Sequence, residues 1–401
     1  MGLPPSGGRR GGLGPPGRWR RLVRGSVLGC VVATGCARPE APVQPAAPPP
    51  YQCRLPRGFP QPEVPDDNPM TAGKVALGRR LFYDTRLSGN GTFSCASCHQ
   101  QARAFTDGRP FAVGSTGQHH VRNTMSLANV AYNASFGWAD PERRSLEAQM
   151  AVPMFNEHPV ELGLRGRERE VVARVAGNPA DVDAFRAAFP GVEPAVSLDH
   201  IVKAIASFER TLVSGESPLD RYLYGDERGA MSPAALRGMK LFFSDRLRCA
   251  ECHGTFNLSG PVVFEAGEAV EPSFHNTGLY DVDGAGGYPA VDRGLIDLTR
   301  RPDDMGRFRA PTLRNVAVTA PYMHDGSVPT LAAVVAHYAS GGRRSPLRSP
   351  RVQGFSLSGT DAADLVAFLE SLTDQAFLQD PALARPDAAG SGLAMTYDNA
   401  L

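Results

Sequence analysis

The sequence has no excess of charge of either sign and no apolar run long enough to span a bilayer. Its 42 Lys and Arg residues against 41 Asp and Glu give a formal net charge of +1. That balance argues against a dedicated nucleic-acid-binding protein, because such proteins usually carry a basic excess. A 42% hydrophobic content over 401 residues excludes an acidic disordered chain or a collagen-like fibre. The length predicts two or three domains with hydrophobic cores.

The seven cysteines do not have the spacing of a disulfide framework. Four form two short clusters, Cys95 with Cys98 and Cys249 with Cys252, and three lie near the N-terminus. Of those three, Cys53 has no obvious partner, and we interpret it as a free or buried thiol. The two clusters are therefore the cysteines that indicate chemistry.

The N-terminus combines several arginines with a short apolar stretch that is below the roughly 20 residues of a membrane span. This order is typical of a secretory signal. Small residues before Cys36 resemble a bacterial lipoprotein cleavage site, although Ala33 stands where leucine is usual. Cys30 is a competing site, and a misassigned start with both cysteines inert is the alternative. We predict a signal peptide over residues 1–36, a lipid anchor at Cys36, a periplasmic location and a Pro-rich tether over residues 37–67.

Two stretches of the chain repeat each other. Residues 78–87 precede Cys-Ala-Ser-Cys-His at 95–99, and the similar residues 238–247 precede Cys-Ala-Glu-Cys-His at 249–253. Each copy also ends on a similar apolar segment. Self-similarity of this kind indicates a tandem duplication. We predict an N-terminal domain, a C-terminal domain and a tail, over residues 68–215, 216–380 and 381–401.

Apolar residues recur at helical spacing in five segments, and no run of alternating strands appears. Ser358 and Thr360 are candidate caps for the last of these helices. Glycine-rich loops separate the segments, notably at 283–289 and 341–349. The fold class predicted is therefore all-α. The five helical segments are 74–83, 167–176, 199–212, 234–243 and 360–372.

Cys-x-x-Cys-His is the attachment signature of c-type haem. The two thiols meet the two vinyl groups of one porphyrin, and the following histidine, His99 or His253, becomes the proximal iron ligand. A thioredoxin-like redox pair and a zinc site are disfavoured by the adjacent histidines and by the lack of a joint ligand set. The sequence predicts two covalent haems, held by Cys95, Cys98 and His99 and by Cys249, Cys252 and His253.

Two haems fit either an electron carrier or an enzyme. A carrier closes both irons with protein ligands, whereas an enzyme needs one iron that opens, with acid–base groups above it. Each unit has roughly 150 residues, far more than a minimal c-type carrier needs, and the extra length favours an enzyme.

Further motifs accompany the haem signatures between about Asn68 and Asp374. They are Arg122-Asn123-Thr124, Phe136-Gly137-Trp138, Ser145-Leu146-Glu147-Ala148-Gln149, Pro159-Val160-Glu161-Leu162-Gly163 and the long stretch from Pro311 to Gly326. With them the sequence resembles the bacterial di-haem cytochrome c peroxidase and MauG family. The resemblance implies two tandem cytochrome c-like domains with one covalent haem each. It also implies hydrogen peroxide reduction with electrons from a small cytochrome c or cupredoxin, or oxidation of residues in a partner protein.

For the first, peroxide-binding haem, the resemblance makes His99 the proximal ligand and places Gln149 and Glu161 on the open face. A carboxylate there can move a proton from the inner to the outer peroxide oxygen, so that water leaves instead of hydroxide. An amide can orient the peroxide. Outside this family context, a surface position for Glu161 and a solvated helix position for Gln149 are the simpler interpretations.

For the second, electron-entry haem, the resemblance makes His253 the proximal ligand and Tyr338 the distal one, where the family usually has methionine and sometimes tyrosine. Methionine raises the potential of the iron, and an anionic tyrosinate lowers it. His337, Met323 and Met305 are the competing ligands, and a buried aromatic without a ligand role is a further alternative for Tyr338.

Trp138 occupies the position of the family's tryptophan between the haems, where an indole can bridge electron transfer; core packing is the alternative. In MauG a second tryptophan precedes the second haem motif by two residues, and here that position is Leu247. This difference weighs against long-range oxidation of a partner protein.

The resemblance also implies a calcium ion between the domains, at Asn123, Thr319 and Pro321, because side-chain and backbone oxygens suit a hard cation. His119 and His120 lie close to the position of the loop histidine that caps the first haem in some family members. Each of them is either such a haem-capping histidine or a histidine on a surface loop, and the sequence favours neither interpretation.

We therefore predict an exported, all-α, two-domain peroxidase that converts one hydrogen peroxide, two electrons and two protons into two waters. The alternatives are a MauG-like oxidase acting on a protein or organic substrate and a di-haem electron carrier. No nucleic-acid partner is expected. The sequence leaves the electron donor open, and also whether the chain forms a homodimer.

Overall fold

The computed structural model describes residues 49–386. The predicted signal peptide, Cys36, Cys30, residues 37–48 of the tether and residues 387–401 of the tail lie outside these residues. Within them, no helix combines the length and the apolar character needed to cross a membrane.

Helices dominate the part of the chain that the structure describes, joined by long loops and a few single 3₁₀ turns. All five segments with helical spacing in the sequence are helices, with ends that differ by at most three residues. The helices are α1 (Ala72–Phe82), α2 (Cys95–Cys98), α3 (Leu146–Phe155), α4 (Glu168–Ala176), α5 (Pro179–Ala188), α6 (Leu198–Glu209), α7 (Pro218–Tyr224), α8 (Pro233–Phe242), α9 (Ala250–His253), α10 (Ile296–Thr299), α11 (Leu331–Ser340), α12 (Gly359–Glu370) and α13 (Gln375–Gln379).

The all-α expectation holds for most of the described residues but misses one small sheet. Strands β1 (Phe274–Asn276) and β2 (Arg307–Arg309) pair antiparallel, with His275 opposite Phe308. Three residues are too few to produce a recognisable alternation of polar and apolar side chains. The sheet therefore had no signal in the sequence.

The two repeats place a glycine at the same kind of helix crossing. A Cβ atom at Gly78 on α1 would lie 1.8 Å from the carbonyl oxygen of Ala204 on α6. On α8, a Cβ atom at Gly238 would lie 1.9 Å from the carbonyl oxygen of Asp364 on α12. No side chain fits at such separations, so both helix pairs pack backbone to backbone.

The capping residue of α12 is Ser358, one of the two candidates. Its side chain accepts from the Asp361 N–H and the Asp361 carboxylate accepts from the Ser358 N–H, which makes a capping box. Thr360, the other candidate, lies inside the helix and does not cap it. This correction follows from the glycine at position 359, which is the first helical residue.

Buried side chains form three hydrophobic clusters. The first surrounds Phe82, Phe105 and Phe208, the second surrounds Phe242 and Phe368, and the third is smaller. In each large cluster, phenylalanine rings from the paired helices pack with centroids 5.3 Å apart for Phe82 and Phe208 and 5.1 Å apart for Phe242 and Phe368. The third cluster contains Ala139, Tyr288, Leu295 and Phe308, with Trp138 packed against it.

The C-terminal segment returns to the first cluster. Phe377, Leu378 and Leu383 are buried among its residues. The Tyr83 hydroxyl donates to the carbonyl of Leu383 at 2.8 Å, and the Gln101 amide donates to the carbonyl of Phe377 at 3.1 Å. Residues 377–383 therefore complete a core that is built mainly from residues 77–212.

Candidate active site

The first cysteine pair lies on α2, whose N-terminus is closed by a capping box between Ser94 and Ser97. His99 follows directly, and its Nδ1 lies 2.7 Å from the carbonyl oxygen of Phe105. A donor bond from Nδ1 to a carbonyl fixes the ring and leaves Nε2 as the ligand atom, the usual arrangement at metal sites. Burial lowers the pKa of His99, which favours the neutral imidazole that binds iron.

The second cysteine pair has the same local plan. His253 ends α9, and its Nδ1 lies 3.1 Å from the carbonyl oxygen of Leu258. Burial lowers its pKa as well. The two histidines are thus held in the same way. Each comes at the end of a short helix, and its Nδ1 lies next to a backbone carbonyl five or six residues downstream.

Burial raises the pKa of the thiols in both pairs, to about 12 for Cys98 and about 11 for Cys249. A reactive redox pair needs the opposite shift, because the thiolate is the nucleophile. None of the described cysteines forms a disulfide, and no group of three His, Cys, Asp or Glu side chains in residues 49–386 could hold a metal ion. The thioredoxin-like and zinc interpretations are therefore disfavoured, and half-buried thiols in apolar surroundings fit thioether attachment.

A cavity of about 360 Å³ opens beside the second cysteine pair. Cys249, Cys252, His253 and Tyr338 all line it, together with apolar side chains. Two thiols, an imidazole and a phenol that converge on one largely apolar cavity match the donors a covalent haem requires. Burial raises the pKa of the Tyr338 hydroxyl.

The lining of the cavity distinguishes between the residues that compete as ligand of the second iron. Met323 lines it with Tyr338. His337 instead directs Nε2 to the carbonyl oxygen of Thr277, at 3.1 Å, and Met305 packs against the third hydrophobic cluster. The structure therefore brings Tyr338 and Met323 to the site, and neither His337 nor Met305.

Around the first cysteine pair, the structure assembles a different set of groups. Glu161 is only 27% exposed and its Oε1 lies 3.9 Å from His120 Nε2. Burial raises the pKa of Glu161 to about 7, and the nearby Arg143 opposes that shift. The charge of Glu161 in turn raises the pKa of both Cys95 and Cys98, so the carboxylate is close to the pair.

Gln149 lies on α3, and its Oε1 accepts from Arg143 Nη1 at 3.2 Å. Arg143 also pairs with Asp140 at 2.7 Å. The same arginine thus bonds Gln149 and acts electrostatically on Glu161. Arg143 was not predicted from the sequence, although it lies between the two motifs that contain Trp138 and Gln149.

His119 and His120, whose roles the sequence left undecided, differ in their surroundings. His119 is exposed, whereas His120 is half-buried and its Nδ1 accepts from the Arg122 N–H at 3.0 Å. Only His120 of the two faces Glu161. The structure therefore places His120, and not His119, at the first site.

Trp138 and the three residues of the predicted calcium site line the second-site cavity. The indole Nε1 of Trp138 donates to the carbonyl oxygen of Asn123 at 2.8 Å. The backbone N–H of Asn123 donates to the carbonyl of His324 at 2.7 Å, which ties it to the segment that contains Thr319 and Pro321. The structure thus brings these predicted residues together.

The chain matches known protein families and relatives over much of its length. The family model of di-haem cytochrome c peroxidase matches residues 72–228, and that of RoxA-like, cytochrome c-like proteins matches residues 307–339. The methylamine utilization protein MauG of Methylorubrum extorquens is 35% identical over 88% of this chain and 93% of its own length. The chain belongs to the di-haem cytochrome c peroxidase family. Cytochrome c551 peroxidase of Pseudomonas aeruginosa is 33% identical over 76% of this chain and 80% of its own length.

Among solved structures, a MauG-like protein associated with microbial copper homeostasis is 44% identical, with a TM-score of 0.82. The match covers 84% of this chain and 99% of that one. The di-haem peroxidase BthA of Burkholderia thailandensis is 23% identical with a TM-score of 0.61, which concerns the fold alone. Membership of the family makes this chain a peroxidase-type oxidoreductase with two haems as its cofactors.

Proposed function

We propose that this protein reduces hydrogen peroxide to water at the first haem, bound by Cys95, Cys98 and His99. The observation that carries the proposal is the half-buried carboxylate of Glu161 beside this cysteine pair, with its pKa raised to about 7. A general acid–base catalyst works best when its pKa lies near the operating pH. Electrons enter through the second haem from a small cytochrome c or cupredoxin.

When bound, the haem supplies an iron that holds the peroxide and passes on electrons. The Glu161 carboxylate accepts the proton of the inner peroxide oxygen and returns it to the outer oxygen, so that water leaves. Gln149, held by Arg143, orients the peroxide through its amide. Two electrons and two further protons complete the conversion of hydrogen peroxide into two waters.

We further propose a domain arrangement, a calcium site and a location for the protein. Each domain, residues 68–215 and 216–380, would hold one haem. Trp138 would lie between the two haems, and Tyr338 would supply its oxygen to the second iron. Asn123, Thr319 and Pro321 supply oxygens to one calcium ion. The chain is exported to the periplasm and anchored through Cys36.

Oxidation of a partner protein is the second candidate function. The match at 44% identity to a MauG-like protein favours it, as does the phenol of Tyr338 in the cavity of His253, because a tyrosinate ligand favours high-valent iron. Leu247, in place of a second tryptophan, weighs against it. By similarity to that relative, this second function would be associated with copper homeostasis.

The test is turnover of peroxide by the full-length, haem-loaded protein with reduced cytochrome c or a reduced cupredoxin. The peroxidase proposal requires catalytic oxidation of two donor molecules per peroxide. Electron paramagnetic resonance of the oxidised and half-reduced protein counts the open irons. A single stoichiometric oxidation without donor turnover would contradict peroxidase function and favour the second candidate.

A further inference from the structure

Four arginines line the cavity at the second cysteine pair, and three of them have acidic partners. Arg246 pairs with Asp361 at 3.2 Å. Arg248 and Arg351 both pair with Glu251, the latter at 3.8 Å. These three guanidinium charges are therefore compensated within the protein.

Arg309, on strand β2, is different. It is 9% exposed and forms no ion pair with any residue in the range 49–386. Its Nε donates to the carbonyl of Gly137 at 3.2 Å and its Nη2 lies 3.5 Å from the Met125 sulphur. Burial alone lowers its pKa, to about 10. A buried guanidinium with only neutral acceptors carries a large desolvation cost and requires an anion.

A second polar group at this cavity lacks a partner. Thr124, adjacent in sequence to Met125, is 9% exposed, and its Oγ1 has no hydrogen-bond partner. Buried hydroxyls are nearly always hydrogen-bonded in native proteins. Thr124 and Arg309 both line the cavity, so a buried hydroxyl without a hydrogen-bond partner and a guanidinium without an anionic partner lie at its wall.

A haem carries two propionate carboxylates, and carboxylate is the anion that a guanidinium binds best, by paired N–H donors. We propose that Arg309 and Thr124 bind a propionate of the second haem and that Arg309 raises the reduction potential of its iron. The inference rests on the proposed function only in placing a haem against His253. A cation beside the haem favours the reduced iron, which carries one positive charge less.

Arg309 is a positioning residue in this proposal, since it acts on the iron through the propionate. Its backbone N–H donates to the carbonyl of Trp138 at 2.8 Å. The residue that would fix the haem edge is thus bonded to the backbone of Trp138, the residue proposed to lie between the two haems.

The experiment measures haem content and the reduction potential of each iron in the full haem-loaded protein. Arg309→Gln should retain two haems, lower the potential of the second iron and leave that of the first unchanged. Its potential should also become pH-dependent, because a propionate without its cation takes up a proton at a higher pH. Arg309→Lys keeps the charge and should restore most of the potential.

Arg246→Gln is the matched control, because Arg246 lines the same cavity but is 50% exposed and already paired. Its effect on the potential should be much smaller. Thr124→Val removes only the hydroxyl and should shift the potential of the second iron in the same direction as Arg309→Gln. It provides the test if Arg309→Gln fails to fold. An unchanged second potential, an equal shift in the control or a shift confined to the first iron would overturn the proposal. Fewer than two haems in the unmodified protein would instead overturn the proposed function.

Discussion

The two haem-attachment sites share their local construction and differ in what surrounds them. His99 and His253 are each held by a backbone carbonyl just downstream, at 2.7 Å and 3.1 Å. Near the first pair lie ionisable groups, Glu161 and His120. The second pair opens on a cavity that contains Tyr338 and is mostly apolar. The local construction is therefore the same at both cysteine pairs, and the side chains around them differ in the way that the two proposed roles require.

The largest expected effect tests whether the two sites are separate. Replacing both Cys249 and Cys252 by alanine should remove one of two covalent haems, because only the second site loses its thioether donors. Replacing Cys95 and Cys98 should remove the other. The measurement is haem-stained denaturing electrophoresis with a haem assay per chain. Loss of both haems from either variant would show that the sites do not load independently.

The next largest effect concerns the acid–base group of the first site. Glu161→Gln should keep both haems and slow peroxide cleavage by roughly 10²–10⁴-fold, the usual contribution of general acid–base catalysis. Stopped-flow mixing with peroxide measures the rate. Glu157→Gln, at a nearby carboxylate that is 61% exposed, is the control and should be neutral. A loss below about threefold at Glu161 would move proton transfer to another group, with Gln149 next to test.

The raised pKa of Glu161 also predicts a pH profile. Its carboxylate must be ionised to accept the first proton, and its pKa is raised to about 7 by burial. Peroxide cleavage should therefore fall as the pH drops below about 7, while the charge of Arg143 opposes protonation and His120 faces the same carboxylate. The Glu161→Gln variant should not show this fall in rate at low pH, which is the acidic limb of the profile. A profile that is the same in both proteins would assign the limb to a different group.

A smaller effect tests the shared architecture. Gly78→Ala and Gly238→Ala should each destabilise the fold by about 1–3 kcal/mol or more, because the new methyl group forces the paired helices apart. Denaturant unfolding of the haem-loaded protein measures this. Gly359→Ala, at a helical glycine with no atom within 4 Å of the added Cβ, is the control. Stability as high as the control's in either variant would mean that the two crossings are not equivalent.

The smallest effect on peroxide binding should come from the second site. Tyr338→Phe removes only the phenol oxygen and should change the spectrum and potential of the second iron, while peroxide binding at the first site changes less than about threefold. Tyr322→Phe is the control, because Tyr322 lines the same cavity but its hydroxyl donates to the carbonyl of Val316 at 3.1 Å. An unaltered second-site spectrum would exclude Tyr338 and make Met323 the next candidate.

Much of the framework was predictable because it depends on local patterns. The Cys-x-x-Cys-His signatures needed only adjacency in the chain, and the helices α1, α6, α8 and α12 followed from apolar spacing, although their pairing did not. Family membership, expected from motifs such as Pro311–Gly326, is confirmed by relatives at 33–36% identity. The roles of Glu161, Gln149 and Tyr338 remain predictions.

What the sequence could not show depends on residues that are distant in the chain. Arg309 carries no motif, and only folding reveals that it lacks the acidic partner that the other cavity arginines have. The choice between His119 and His120 likewise required the loop's backbone, which turns one ring toward Glu161 and leaves the other exposed. The two-stranded sheet was too short to leave a pattern.

The packing of the chain's end on the first core has a consequence for the order of events during synthesis. Phe377, Leu378 and Leu383 are among the last described residues, yet they fill the cluster around Phe105, beside the first attachment site. Ribosomes add about 5–20 residues per second, so these side chains are synthesised roughly ten to thirty seconds after helix α6. The core beside the first cysteine pair can therefore be completed only after residues 377–383 have been made.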